Sequence, residues 1–215
     1  MAIEEGGVVQ VEKSHYEFKQ YFDKRRWMSL YHQVDEVVSL SPRNVLEIGP
    51  GAGLFGTILG KYDVRVDAVD YDVQLRPDIV ASATDLPLRD ESYDCVCAFQ
   101  MLEHLPYQDS MKVFDEMVRV AKRHLVISLP DVTGGWPLTV HVPKLGVKRV
   151  LVPKPGFMLK LPKIIDQHYW ELGRPGYSAG EVLEDLGRRN VELLKEYKVH
   201  EYPYHHFFVF TKYRR

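Results

Sequence analysis

Asn44-Val-Leu-Glu-Ile48 runs directly into Gly49-Pro-Gly-Ala-Gly53 and then into Leu54-Phe-Gly-Thr-Ile-Leu-Gly60. The first five residues read as a short apolar strand. Glycine at every second position then permits a tight turn and lets a ligand approach the backbone. Leu54 to Gly60 reads as a short helix closed by glycine, whose first N–H groups face the loop. A strand, a glycine loop and a helix in this order open a βαβ unit.

The chain continues in the same rhythm in both directions. Upstream, Tyr16 to Leu40 has apolar residues at helical spacing (Phe18, Tyr21, Phe22, then Trp27, Leu30, Tyr31, Val34, Val37 and Val38), and Ser41-Pro42 stops it. Downstream, strands are expected at 64–69, 78–81, 93–99 and 124–129. The run 93–99 is apolar almost throughout, as befits burial on both faces. Asp109 or Ser110 is expected to cap a helix with Val113, Phe114, Met117, Val118 and Ala121 in one stripe. Lys122 and Arg123 fall in its last turn, where cations suit the dipole. Alternating strands and helices imply right-handed crossovers and a parallel sheet covered on both sides.

After Asp131 the rhythm breaks, and residues 132–165 hold five prolines and no regular period. Ser178-Ala-Gly-Glu181 is a capping box opening a helix to Gly187. Strands at 191–199 and 207–212, joined by a short turn, are expected to be antiparallel. No repeat or linker divides the chain, so residues 1–215 are expected to be one α/β domain. Residues 1–40 form its N-terminal helical segment and 132–177 an insertion.

Composition excludes several classes. Of 215 residues, 45% are hydrophobic and 27% charged, which is globular rather than disordered. The net charge of -2 argues against a globally basic nucleic-acid binder. No signal peptide is visible and no apolar run approaches the ~18 residues of a spanning helix, so a cytoplasmic protein is expected. Cys95 and Cys97 point to one face of a strand and read as two buried thiols in a reducing compartment. No metal site is expected; His200, His205 and His206 gather near an aromatic turn with Tyr202 and Tyr204, placed at the sheet edge.

Two ligand frames fit the glycine loop. Gly51-x-Gly53-x-x-Gly56 followed by Asp70 matches a dinucleotide fingerprint, hence an NAD(P)-dependent oxidoreductase. In that frame, however, Gly49-Pro50 intrudes between strand and first glycine. The other frame is Glu47-x-Gly49-x-Gly51-x-Gly53.

In the second frame, Val45 to Gly53 resembles motif I of the class I S-adenosylmethionine-dependent methyltransferases. Val69-Asp70 resembles their second-strand acid. Ala83-Thr-Asp-Leu-Pro87, followed by Asp90-Glu-Ser-Tyr-Asp94, resembles the adenine loop and the entry to strand four. Gln100-Met-Leu-Glu-His-Leu105 resembles the segment after strand four in the small-molecule type 11 branch, and Ser128-Leu-Pro130 the end of strand five. The ordered set covers roughly residues 40–131.

The resemblance implies a Rossmann-like doubly wound seven-stranded sheet, mostly parallel with an antiparallel last strand. It implies S-adenosylmethionine as cofactor, with Gly49, Gly51 and Gly53 along its methionine part and Glu47 acting through water or by fixing the loop. Asp70 would accept from the ribose hydroxyls, Tyr71 lie on the adenine face, and Ala83 and Thr84 read the adenine edge. Ser82 stands where many relatives carry an acid, so Asp85 is a candidate replacement. Gln100, Met101 and His104 would line the cofactor near its methyl group, with His104 either a base or a positioning residue. No catalytic residue is assigned, because the cofactor brings the reactivity and the protein aligns the acceptor.

A small-molecule acceptor is expected, taken at O, N or C, with Tyr31, His141, His168 and Tyr169 as candidate contacts. A non-catalytic cofactor-binding module is the further alternative. Nucleic acid is not favoured, since no Asn/Asp-Pro-Pro-Tyr tetrapeptide or Pro-Cys pair appears. The segment 132–165 carries six cations and no acid, which leaves 22 cations against 30 acids elsewhere. It reads as a lid over an anionic or lipidic acceptor, as a surface for peripheral contact with acidic membrane, or as a solvated excursion.

Overall fold

The computed structural model describes residues 23–158, 161, 163–164 and 167–213. The expected helical residues 16–22 lie outside them. Helix α1 (Lys24–Ser39) starts at Asp23, whose side chain accepts from the Arg26 amide at 2.9 Å. Strand β1 (Asn44–Ile48), helix α2 (Leu54–Leu59), β2 (Arg65–Asp70), the two-residue β3 (Ile79–Val80) and β4 (Tyr93–Phe99) follow. Helix α3 (Tyr107–Val120) leads into β5 (Ala121–Pro130). Then come β6 (Trp136–Val142), β7 (Gly146–Val152), α4 (Ala179–Gly187), β8 (Val191–Val199) and β9 (Tyr202–Lys212).

Seven strands form one sheet in the order β3-β2-β1-β4-β5-β9-β8. The first five are mutually parallel, and β9 runs antiparallel to both β5 and β8. The expected sheet is therefore present. Its strand parity sorts the core. Leu46, Ile48, Val96 and Ala98 pack with Phe114 and Met117 of α3, and Val182 and Leu186 of α4. Val45, Cys95, Cys97 and Phe99 pack with Leu30 and Val37 of α1, and Phe55 and Leu59 of α2. Cys95 and Cys97 are buried free thiols with sulfurs 3.7 Å apart.

Three expectations need correction. Helix α3 begins at Tyr107, not at an Asp109 or Ser110 cap. The Ser110 hydroxyl is instead committed to the Leu102 carbonyl at 2.7 Å and to the Trp170 indole N–H at 3.0 Å. The same helix ends at Val120, because the Arg119 and Val120 carbonyls accept from the Glu91 and Ser92 amides. Lys122 and Arg123 consequently lie in β5.

Second, the segment expected to lack regular structure contains the hairpin β6–β7, paired from Trp136↔Val152 to Val142↔Gly146. Its turn needs left-handed backbone at Lys144 (φ 67°) and Gly146 (φ 75°). Prolines 137 and 143 hid the β-branched run between them. Third, Tyr202, Tyr204, His205 and His206 lie within β9, between β5 and β8, and so form neither a turn nor a sheet edge.

The strand order reverses between β1 and β4, and the crevice beyond their carboxyl ends is where open α/β sheets bind ligands. The glycine loop leaves β1 and Gln100 leaves β4 at this point.

Candidate active site

The glycine loop is built by alternation. Gly49, Gly51 and Gly53 take φ values of 71°, 52° and 68°, a region L-residues rarely adopt. The Gly49 amide donates to the Val69 carbonyl at 3.0 Å, and Gly53 to Pro50 at 2.9 Å. A methyl on Gly49 would stand 2.7 Å from Met101 Cγ. Opposite the loop, Gln100 also has a positive φ of 51°, the kind of strained backbone that clusters at functional sites. Its amide and its side-chain amide both donate to Ser128.

A first cleft runs from this loop across the ends of β2 and β3. Gly49, Gly51, Asp70, Tyr71, Ala83, Thr84, Gln100, Met101 and His104 all line it. The structure thus brings together nine of the twelve residues expected to meet cofactor. Asp70 ends β2 with one carboxylate oxygen accepting from the Asp72 amide at 2.9 Å. Burial raises its pKa, opposed by that amide and aided by the nearby Asp72 charge. Ser82, in place of an acid, shares a 2.8 Å hydroxyl bond with Thr84. Asp85 is not brought into the cleft; its amide closes a turn onto the Ser82 carbonyl. Gly53 serves as the start of α2 rather than as lining.

A second cavity lies on the α1 side of the loop, sharing Gly49, Gly51, Gln100 and His104 with the first. Glu47 lines it, and burial pushes that carboxyl up to about 8. Several lining residues were not anticipated: Ser29, Gln33, Glu103, Tyr204 and His205. His205 is buried against Ser29, with Nδ1 and the hydroxyl 2.6 Å apart, and burial drives its pKa down to about 3. Glu103 is buried with neither carboxylate oxygen hydrogen-bonded, and burial, with Glu171 nearby, raises it to about 8. Polar residues inside otherwise apolar frames, such as His205-His206 before Phe207-Phe208, were the available signal.

Of the expected acceptor contacts, His168 lines this cavity. Tyr31 and Tyr169 are exposed and His141 sits on the exposed β6; none of the three lines it. Nor do Lys144, Lys148 and Arg149. The three histidines near the β8–β9 turn diverge. His205 bonds Ser29, His206 lies between Asp131 and Glu196, and His200 meets the Leu138 carbonyl.

Comparison with known proteins agrees with this geometry. Residues 46–127 match the family model described as "Methyltransferase domain". Over that span, a little more than a third of the chain, the sequence is that of a methyltransferase domain. Its cofactor is S-adenosylmethionine, so the oxidoreductase and non-catalytic alternatives give way. No curated protein matches the chain. Among solved structures, the magnesium protoporphyrin IX methyltransferase of Synechocystis PCC 6803 with bound SAM superposes with a TM-score of 0.62 at 13% identity, covering 94% of this chain and 90% of that one. The Burkholderia thailandensis 1,6-didemethyltoxoflavin-N1-methyltransferase, with its substrate and S-adenosylhomocysteine, gives 0.60 at 13%, covering 94% and 85%. The small RNA methyltransferase HEN1 gives 0.63 at 11%, covering 90% of this chain and 26% of that one. Likeness at such identities speaks for the fold alone. Among the described residues, no helix of this methyltransferase is long and apolar enough to cross a membrane.

Proposed function

We propose that the chain transfers the S-adenosylmethionine methyl group to a small-molecule acceptor. The observation that carries this reading is that two recesses, one on each side of the glycine loop, meet at Gly49, Gly51, Gln100 and His104. The cofactor supplies an electrophilic sulfonium methyl. The cleft residues hold it: the left-handed glycines let the methionine part lie against backbone, and Asp70 accepts from the ribose hydroxyls. Tyr71 covers the adenine, and Ala83 and Thr84 meet its edge. Glu47 fixes the loop, with its carboxyl near the start of α2. Gln100, Met101 and His104 stand at the methyl end.

The acceptor then occupies the α1-side cavity, among Ser29, Gln33, Phe99, His168, Tyr204 and His205. The recess is walled by α1, β4, β9 and the 167–168 segment, which favours a compact ligand over a polymer. The chain's work is alignment and water exclusion, worth several kcal/mol in such displacements. The hairpin β6–β7 stands at the same end of the sheet, since His200 near the β8–β9 turn reaches Leu138. We assign residues 132–177 to covering the acceptor, as one part of a single domain.

The test is release of S-adenosylhomocysteine from S-adenosylmethionine across an acceptor panel that includes short RNAs. Turnover with small molecules supports the proposal. Turnover confined to RNA overturns it.

A further inference from the structure

In the α1-side cavity, whose His104 also borders the first cleft, Glu103, His104 and His168 each offer one ligand atom, and these atoms all lie within 4.8 Å of one another. Glu103 lies in the single 3-10 turn after β4 and is 0% exposed. Both of its carboxylate oxygens are buried without a hydrogen-bond partner. A buried, unpaired carboxylate is costly, and such groups are paired or coordinate metals. Among the described residues the Glu103 carboxylate has no partner beyond a pull from its own backbone amide, so its chemistry points to one from outside.

The two imidazoles are prepared for the same guest. His104 Nδ1 donates to the Gln167 carbonyl at 2.9 Å. A carbonyl only accepts, so the ring's lone pair sits on Nε2. His168 Nδ1 donates to Glu171 Oε1 at 2.9 Å, with the same consequence. Glu171 is itself fixed by the Arg174 guanidinium at 2.6 Å and the Tyr204 hydroxyl at 2.8 Å. A carboxylate or carbonyl behind each imidazole is how metal-ligating histidines are oriented. The two ligand-bearing segments are also tied together, since the Tyr169 amide donates to the Glu103 carbonyl at 2.8 Å. The rings stand edge to face with centroids 4.8 Å apart. Two imidazoles and one carboxylate suit divalent transition cations and leave coordination positions open.

We infer that Glu103, His104 and His168 bind one divalent cation of the manganese-to-zinc series, whose open positions hold an oxygen acceptor in front of the methyl donor. The second half rests on the methyl-transfer reading; the cation site does not. His104 borders both recesses, so a cation there touches the acceptor side and faces the cofactor side. A bound acceptor hydroxyl gives its proton to solvent water. Its oxygen lone pair then forms the new O–C bond as the S–C bond breaks. That bond's electron pair returns to sulfur, giving a methyl ether and a neutral thioether, with no change of oxidation state at the cation.

The test uses chelator-stripped full-length protein, titrated with Zn2+ by calorimetry and with Mn2+ by electron paramagnetic resonance. S-adenosylhomocysteine binding is measured in parallel. One cation per chain is expected, with affinity at least tenfold weaker in Glu103→Gln and in His168→Ala, and unchanged in His141→Ala. Glu103→Gln is nearly isosteric at a position with no hydrogen bond to lose, so it decides the matter if His168→Ala fails to fold. No cation at one equivalent, or binding undiminished by Glu103→Gln, overturns the site. Cation binding without S-adenosylhomocysteine binding would instead overturn the methyl-transfer reading and leave the cation site standing.

Discussion

Asp70 and Gly51 carry the cofactor reading residue by residue. Asp70 ends β2 and lines the first cleft, with one carboxylate oxygen held by the Asp72 amide. Loss of two hydrogen bonds to a charged acceptor costs on the order of 2–4 kcal/mol. Asp70→Ala is therefore expected to weaken S-adenosylhomocysteine binding by tens- to hundreds-fold. A calorimetric change below threefold would remove Asp70 from that role. Gly51 borders both recesses and holds φ at 52°. Gly51→Val adds a branched side chain to a backbone that disfavours it, at a strain of about 1–3 kcal/mol. It is expected to abolish cofactor binding while the far-ultraviolet circular dichroism stays that of the wild type; unchanged affinity would refute it.

Elements were legible in proportion to how local their causes are. The glycine loop, β1 and the Ser178–Glu181 capping box declare themselves within a few residues, and all three stand as read. The start of α3 did not, because Ser110 is claimed by Leu102 and by Trp170, sixty residues away. The same holds for the acceptor cavity. Ser29 meets His205 across 176 positions, and no spacing rule joins them. Ser110→Ala should thus act as a joint failure rather than a lost cap, leaving a buried indole N–H unpaired. A loss of about 1–3 kcal/mol in urea unfolding is expected, and a loss under half of that would deny Ser110 this tying role. The hairpin β6–β7 is the other element the sequence concealed. On one face it exposes Trp136, Leu138, Val140, Val150 and Val152. If it covers the acceptor, limited proteolysis should cut within 132–158 in the ligand-free protein and slow when S-adenosylhomocysteine and acceptor are both bound. Binding to anionic vesicles that collapses at high salt would favour the membrane alternative.

Across the molecule, the buried titratable groups pull stability in two directions with pH. For Asp131, burial raises the pKa but hydrogen bonds from His206, Thr133 and Lys198 outweigh it and hold the carboxyl at about 2. Its stabilisation, on the order of 2 kcal/mol, is present above the unfolded value of 3.8 and disappears as pH falls toward 2. His205, held neutral by burial down to about 3, adds to the same acid loss. Below its ordinary 6.5 the unfolded chain takes up a proton that the folded chain refuses, so stability falls with pH from 6.5 to about 3. Glu47 and Glu103 act in the opposite sense. Burial raises both to about 8, so from 4.5 upward the unfolded chain releases protons that the folded chain retains. Stability therefore declines as pH rises from 4.5 to about 8 on their account. Glu103→Gln removes one of these two contributions. In chelator, urea unfolding should show the variant gaining on the wild type by up to a few kcal/mol between pH 5 and pH 8. A parallel pair of pH profiles would mean that the Glu103 carboxyl ionises in the folded protein as it does in the unfolded one, and that its burial is relieved by a partner already in place.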